Sequence, residues 1–189
     1  YNNVKSPLTE IGVNAKEGDY ILAVDGVSVK GMNNIYESLL NKAGKQVRLR
    51  LNQVPAEQGN REVTVLPIPD ESKLYYLKWV NENIEKVNKA TNGRVGYLHI
   101  PDMGVEGLNE FVKYYFPQLT KEALIVDVRG NGGGFVSEII IERLRRIAAQ
   151  ITIARNTKPG IDPDGTLNGP MVMLCDEFSA SDGDIVTYR

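Results

Sequence analysis

The sequence predicts a small β-rich module followed by an α/β layer built on a parallel sheet. Three observations predict this. The first third alternates apolar and polar residues with a period of two around an Asp-Gly turn; the period becomes helical after Asp70; and from Val95 short apolar strands alternate with helical segments.

Taken in order, residues 20–29 read as strand, turn and strand, because Asp25-Gly26 supplies the positive φ values of a tight hairpin. Residues 32–42 carry Ile35, Leu39 and Leu40 at helical spacing, with Gly44 as a stop. Val47, Leu49 and Leu51 alternate with Arg48 and Arg50 in a strand with one buried face, and Val63 and Val65 repeat the pattern after the polar turn at 57–60. Leu74, Leu77, Val80, Ile84 and Val87 predict an amphipathic helix, capped by Asp70 or Ser72 and ended by Asn92-Gly93. A strand over 95–100, a helix over 105–116, an apolar strand over 123–128 and a helix over 135–147 follow. Residues 151–154 suggest a short strand and 156–169 a turn-rich loop. Residues 171–175 form another apolar strand, and a helix starts near Ser181.

Composition limits the functions available. The 189 residues are 42% hydrophobic and 24% charged, ordinary for a chain that buries a core. The 22 basic and 24 acidic residues are well mixed and give a net charge of −2, so neither a nucleic-acid footprint nor a polybasic membrane patch stands out. Arg143, Arg145 and Arg146 read as a solvated helix face. No apolar run approaches the length of a spanning helix. Cys175 is the single cysteine. It rules out an internal disulfide, reads as an inert thiol inside an apolar strand, and points to a reducing, cytoplasmic compartment. The opening residues do not read as a signal peptide, which leaves open one ahead of Tyr1.

Two stretches at the C-terminal ends of predicted sheet strands, where open α/β sheets place their ligands, resemble parts of an active site. In Arg129-Gly130-Asn131-Gly132-Gly133-Gly134 the spacing fails the dinucleotide fingerprint, since Phe135 occupies the last glycine position, and the Lys-Ser/Thr of a phosphate loop is absent. Such a turn either offers backbone N–H groups to a developing oxyanion or is a tight turn without a ligand. In the stretch 176–184, Ser181 at a strand-to-helix junction reads either as a nucleophile or as a helix N-cap. The only histidine, His99, lies on a predicted strand, and a structural role is the simpler reading. No set of residues has metal-ligand spacing, no cofactor is expected, and Asp162 and Asp164 read as turn formers.

Residues 6–29 resemble the middle of a bacterial-type PDZ domain. Residues 94–102, 125–137 and 178–184 resemble the catalytic core of tricorn-type peptidases, relatives of the tail-specific and C-terminal-processing peptidases. Four motifs in the family's order make the resemblance specific. It implies a partial PDZ-like domain over 1–69, a connecting helix over 70–93, and over 94–189 part of a catalytic core with the α/β layer shared by Clp-protease and crotonase folds. It also implies that Ser181 is the nucleophile, and that the oxyanion hole is made by the backbone N–H groups of Asp182 and Gly134, with Gly133 as a further candidate. The implied function is serine-type hydrolysis of peptides through an acyl-enzyme, in a protein that forms a homo-oligomer and uses neither metal nor cofactor.

Family members take their base from a histidine ahead of the PDZ domain or a lysine well beyond the serine. His99 matches neither. The expectation is therefore a fragment that lacks its base and is inactive alone, and whose PDZ region lacks the strand and loop that receive a peptide carboxylate. Two competing readings are a peptide-binding scaffold with a dead core and a crotonase-type acyl-CoA enzyme.

Overall fold

The computed structural model describes residues 4–189. The chain forms two compact units, one ending at Lys78 and the other running from Trp79 to Arg189.

The first unit is a four-stranded antiparallel sheet in the order β2-β1-β3-β4, with β1 Tyr20–Val24, β2 Val27–Ser28, β3 Val47–Asn52 and β4 Arg61–Val65. The β1–β2 turn is built by Asp25 (φ 49°) and Gly26 (φ 82°). The Asp25 carboxylate accepts from Arg48 N–H at 2.8 Å and from Lys42 Nζ at 2.7 Å, which ties the turn to β3. Val24, Val47, Leu49, Leu51 and Val65 bury one face, joined by Val13. The helix expected over 32–42 is instead a single 3-10 stretch, Ile35–Leu39. Asn34 caps its start by accepting from Tyr36 N–H at 2.9 Å. Leu40 already turns to ψ 130° and Asn41 is left-handed at φ 58°, so five residues are all the geometry allows.

Helix α1, Ser72–Thr91, has the periodicity read from the sequence, with Asp70 Oδ1 accepting from Ser72 N–H at 2.8 Å at its start. It stops where Asn92 (φ 51°) and Gly93 (φ 73°) leave the helical region.

The second unit holds a parallel sheet in the order β5-β6-β9: Val95–His99, Ala123–Asp127 and Met171–Leu174. Parallel pairing requires crossovers. The first is α2, Val105–Tyr115, capped by Asp102 Oδ1 accepting from the Gly104 and Gly107 N–H groups at 2.6 and 3.1 Å. The second comprises α3, Ser137–Leu144, and a hairpin of β7 Gln150–Thr152 with β8 Gly160–Asp162. Helix α4, Asp182–Tyr188, follows β9. Leu98, Ile100, Met103, Phe111, Tyr115, Leu124, Val126, Val128, Ile140 and Val186 pack between sheet and helices.

Three expectations are corrected here. Helix α3 starts two residues late and ends three early relative to 135–147. Phe135 and Val136 donate their N–H groups to Met103 O at 2.7 and 3.1 Å, which holds them out of the helix beside the Met103–Gly134 bridge. Ile147 lies beyond the helix and is 78% exposed. The loop 156–169 contains β8, a three-residue strand whose single apolar residue, Ile161, is too little for an alternating pattern to show. Cys175 is exposed rather than a core thiol, because β9 ends at Leu174.

Candidate functional site

Three loops leave the C-terminal ends of β5, β6 and β9 and bond to one another. The β5 loop pairs with the β6 loop through Met103 N–H to Gly133 O, 2.9 Å, and Phe135 N–H to Met103 O. The β6 loop meets the β9 loop through Ala180 N–H to Asn131 O, 2.9 Å, and Gly130 N–H to Asp176 Oδ1, 2.9 Å. Ser179 Oγ donates to Val128 O at 2.8 Å. Asp176 also accepts from Phe178 N–H at 3.1 Å and Ser179 Oγ at 3.2 Å. These bonds, led by that from Gly130, hold its carboxyl below the usual aspartate value.

Ser181 occupies the junction between the β9 loop and α4. Its backbone is at φ 54°, ψ −127°, a region that L-residues adopt only under strain. An N-cap has extended backbone and a side chain accepting from the first turn. Ser181 has neither, and its hydroxyl makes no hydrogen bond among the described residues. The residue is exposed. Ser181 is thus the N-cap of α4 by position, its carbonyl accepting from Ile185 N–H at 2.9 Å, but its side chain does no capping.

The glycine turn lies against it. A Cβ on Gly133 (φ 103°) would come within 2.7 Å of Ser181 Cβ and 3.1 Å of Asp182 N. Gly134 (φ 151°) backs onto Met103 so closely that a Cβ would overlap the Met103 carbonyl. The Gly133 N–H is already committed to Asn131 Oδ1 at 2.9 Å, which removes it as a donor to a ligand. The N–H groups of Gly134 and Asp182 meet no acceptor among the described residues. Such N–H groups beside an exposed hydroxyl suit a reaction in which negative charge develops on oxygen. The Asp182 side chain has a separate task. Its carboxylate accepts from Ser137 N–H at 3.0 Å and from Ser137 Oγ, joining the first turns of α3 and α4.

His99 is elsewhere in the network. It is buried, its ring packs edge-on against Trp79 with centroids 4.8 Å apart, and its Nε2 lies 2.9 Å from Arg129 O. Burial pushes its pKa below the usual histidine value, against the opposing effect of that carbonyl. Beside it, fully buried Asp127 pairs with Arg129 and accepts from Tyr97 Oη at 2.7 Å. Burial alone would raise the Asp127 pKa, but the Arg129 and Tyr97 bonds together outweigh it and hold the group below the ordinary value. Burial, then the Asp127 bond, push the Tyr97 phenol up. The Arg129 guanidinium also lies 5.2 Å from the Trp79 ring centroid. This cluster locks the end of the sheet behind the glycine turn. Sequence reasoning missed it; the Asp-x-Arg spacing after an apolar strand was its only local signal.

Among the described residues no three His, Cys, Asp or Glu side chains are placed to hold a metal ion, and no helix is long and apolar enough to cross a membrane.

Comparison with known proteins gives the family of the chain. Residues 1–70 match the Tricorn protease PDZ domain, and residues 94–189 match Peptidase family S41. The tricorn protease of Thermoplasma volcanium is 38% identical over 98% of this chain and 18% of its own length. The tricorn protease homolog of Saccharolobus solfataricus is 38% identical over 98% of this chain and 17% of its own. The crystal structure of the tricorn protease has a TM-score of 0.85 at 36% identity, covering 97% of this chain and 18% of that one. The chain thus spans less than a fifth of the length of these relatives. With its S41 match covering half the chain and its strand-end loops gathered around Ser181, the chain belongs to peptidase family S41.

Proposed function

We propose that the full-length protein hydrolyses peptides by a serine mechanism, and that this chain supplies its nucleophile and oxyanion hole. The observation that carries the reading is the strained backbone of Ser181, whose exposed side chain does no capping and lies against Gly133, with the flanking N–H groups of Gly134 and Asp182 free of acceptors among the described residues. Strain of this kind costs about 1–3 kcal/mol and persists where function requires it.

In this reading Ser181 Oγ attacks the scissile carbonyl carbon, and its proton passes to a base contributed from outside these 189 residues. The N–H groups of Asp182 and Gly134 donate to the oxygen that becomes negative. Collapse of the intermediate breaks the C–N bond, the amine leaves with the proton, and water then hydrolyses the acyl ester on Ser181. His99 is not that base, since it is buried against Trp79 and bonded to Arg129 O. Without a base, a serine hydroxyl loses several orders of magnitude in rate, so residues 1–189 alone are expected to be inactive.

The same reading divides the chain into a PDZ-like domain over 1–69, a linking helix over 70–93 and a core segment over 94–189. It carries a cytoplasmic compartment, which the exposed unpaired thiol of Cys175 suits. It also carries assembly into a homo-oligomer, for which exposed Ile147, Ile151 and Ile153 offer apolar surface; light scattering on the full-length protein checks this. The activity itself is tested by peptide hydrolysis with the full-length protein and Ser181→Ala. Loss of turnover in the variant supports the reading, and unchanged turnover rejects it.

A further inference from the structure

Asn131 is fully buried, yet it sits inside a glycine turn where a small polar residue ordinarily faces water. All of its amide and backbone groups are used. Its Nδ2 donates to Ile100 O at 3.0 Å, and its Oδ1 accepts from Gly133 N–H at 2.9 Å. Its own N–H donates to Val128 O at 3.1 Å, and its carbonyl accepts from Ala180 N–H at 2.9 Å. The amide orientation is fixed by its partners, because a carbonyl needs a donor opposite it and an N–H needs an acceptor. One residue thus joins the end of β5, the glycine turn and the residue immediately before Ser181.

The bond to Gly133 decides which glycine N–H is available. Gly133 N–H, held by Asn131 Oδ1, and Gly133 O, held by Met103 N–H, belong to the two successive peptide units that flank the Gly133 Cα, so both units are fixed, and Gly134 N–H, which shares the second with Gly133 O, is left without a protein acceptor. The contact is close on the other side too. Gly183, in the first turn of α4, has no room for a Cβ because Asn131 fills the space, including Asn131 Cγ at 2.9 Å. Asn131 is therefore in direct contact with both halves of the proposed oxyanion hole, the glycine turn and the start of α4.

We propose that Asn131 is the positioning residue of the oxyanion hole, setting Gly134 N–H relative to Ser181 through its side-chain bond to Gly133. This rests on the reading of Ser181 as nucleophile. Aspartate at this position keeps an acceptor for Gly133 N–H but loses the donor to Ile100 and places a charge in a fully buried site. Leucine keeps the volume and loses both bonds. The two substitutions thus separate stability from catalysis: burying the charge makes aspartate the more disruptive to the fold, while the retained acceptor makes it the less disruptive to the hole.

The test measures kcat, KM and thermal midpoint for peptide hydrolysis by the full-length protein and its Asn131→Leu, Asn131→Asp and Ser181→Ala variants. Amide hydrogen exchange at Gly133 is followed in each. Losing one oxyanion donor lowers kcat by about 100- to 1000-fold. Asn131→Leu is expected to lower kcat by roughly a hundredfold with KM within about threefold, and to lose exchange protection at Gly133. Asn131→Asp is expected to keep that protection and at least about tenfold more kcat than Asn131→Leu, despite the lower midpoint. If kcat follows the midpoint instead, or falls in neither variant while Ser181→Ala is inactive, Asn131 is only a packing residue. If Ser181→Ala retains full turnover, the nucleophile reading fails and takes the Asn131 role with it. Should Asn131→Asp not fold, wild-type kcat in Asn131→Leu still overturns the proposal.

Discussion

Gly133 and Ser181 meet backbone against side chain: a Cβ on Gly133 would lie 2.7 Å from Cβ of Ser181. That spacing is below what real Cβ atoms tolerate, and Gly133 also holds φ at 103°, where L-residues are strained. Gly133→Ala is therefore expected to destabilise by about 2–4 kcal/mol, from strain plus overpacking. It should also displace Ser181 and suppress its labelling by a fluorophosphonate. Unfolding midpoints together with labelling rates check this; an alanine accepted without change in either would mean that the two loops are not in contact.

Ser181→Gly should move stability and activity in opposite directions. Glycine adopts φ 54°, ψ −127° freely, so strain of about 1–3 kcal/mol is relieved. The added freedom of the unfolded chain costs back roughly 0.5–1 kcal/mol. A net gain of about 1 kcal/mol with complete loss of turnover is expected from denaturant unfolding and hydrolysis assays. A loss of stability would mean that the serine side chain contributes more to the fold than its unbonded hydroxyl suggests.

Ser137 and Asp182 form a third testable pair. Ser137 donates through both its N–H and its Oγ to the Asp182 carboxylate, and Ser137 is buried. Hydrogen bonds to a charged group contribute about 1.5–3 kcal/mol. A double-mutant cycle of Ser137→Ala and Asp182→Ala should give a coupling of about 1–2 kcal/mol. Additive effects would show the two helix starts to be independent.

His99 predicts a pH dependence. Its folded pKa lies below the unfolded value of 6.5 because burial disfavours the charged ring. Between the two values the unfolded chain binds the extra proton, so stability rises with pH across that window. The contribution is fully present above about pH 6.5 and is lost as pH falls toward the folded value. Urea midpoints at pH 7.5 and 5.5 should therefore drop more in the wild type than in His99→Phe. Equal drops would assign the acid sensitivity elsewhere.

Much of the fold was legible because it depends on local pattern. Asp25-Gly26 requires a tight hairpin, the apolar spacing from Leu74 to Val87 a helix, and the apolar runs at 95–100 and 123–128 buried parallel strands. One misreading comes from long-range bonding that no local window contains. Phe135 and Val136 look helical until Met103 O takes their N–H groups. Cys175 looks buried until β9 ends one residue earlier. Within the candidate site, the sequence drew attention to Ser181 and the glycine triple as strand-end junctions. The preference for Gly134 over Gly133 as donor came from the family resemblance and not from any local pattern, since it depends on Asn131 Oδ1, and nothing local revealed that Asn131 reaches Ile100, 31 residues away.

The central claim is that Ser181 is a reactive nucleophile. The direct measurement is fluorophosphonate labelling of the full-length protein, with the modified residue identified by peptide mass spectrometry. The account predicts a single phosphonylated residue, Ser181, and no labelling in Ser181→Ala. Labelling at another serine, or none in a preparation that hydrolyses peptides, would contradict it.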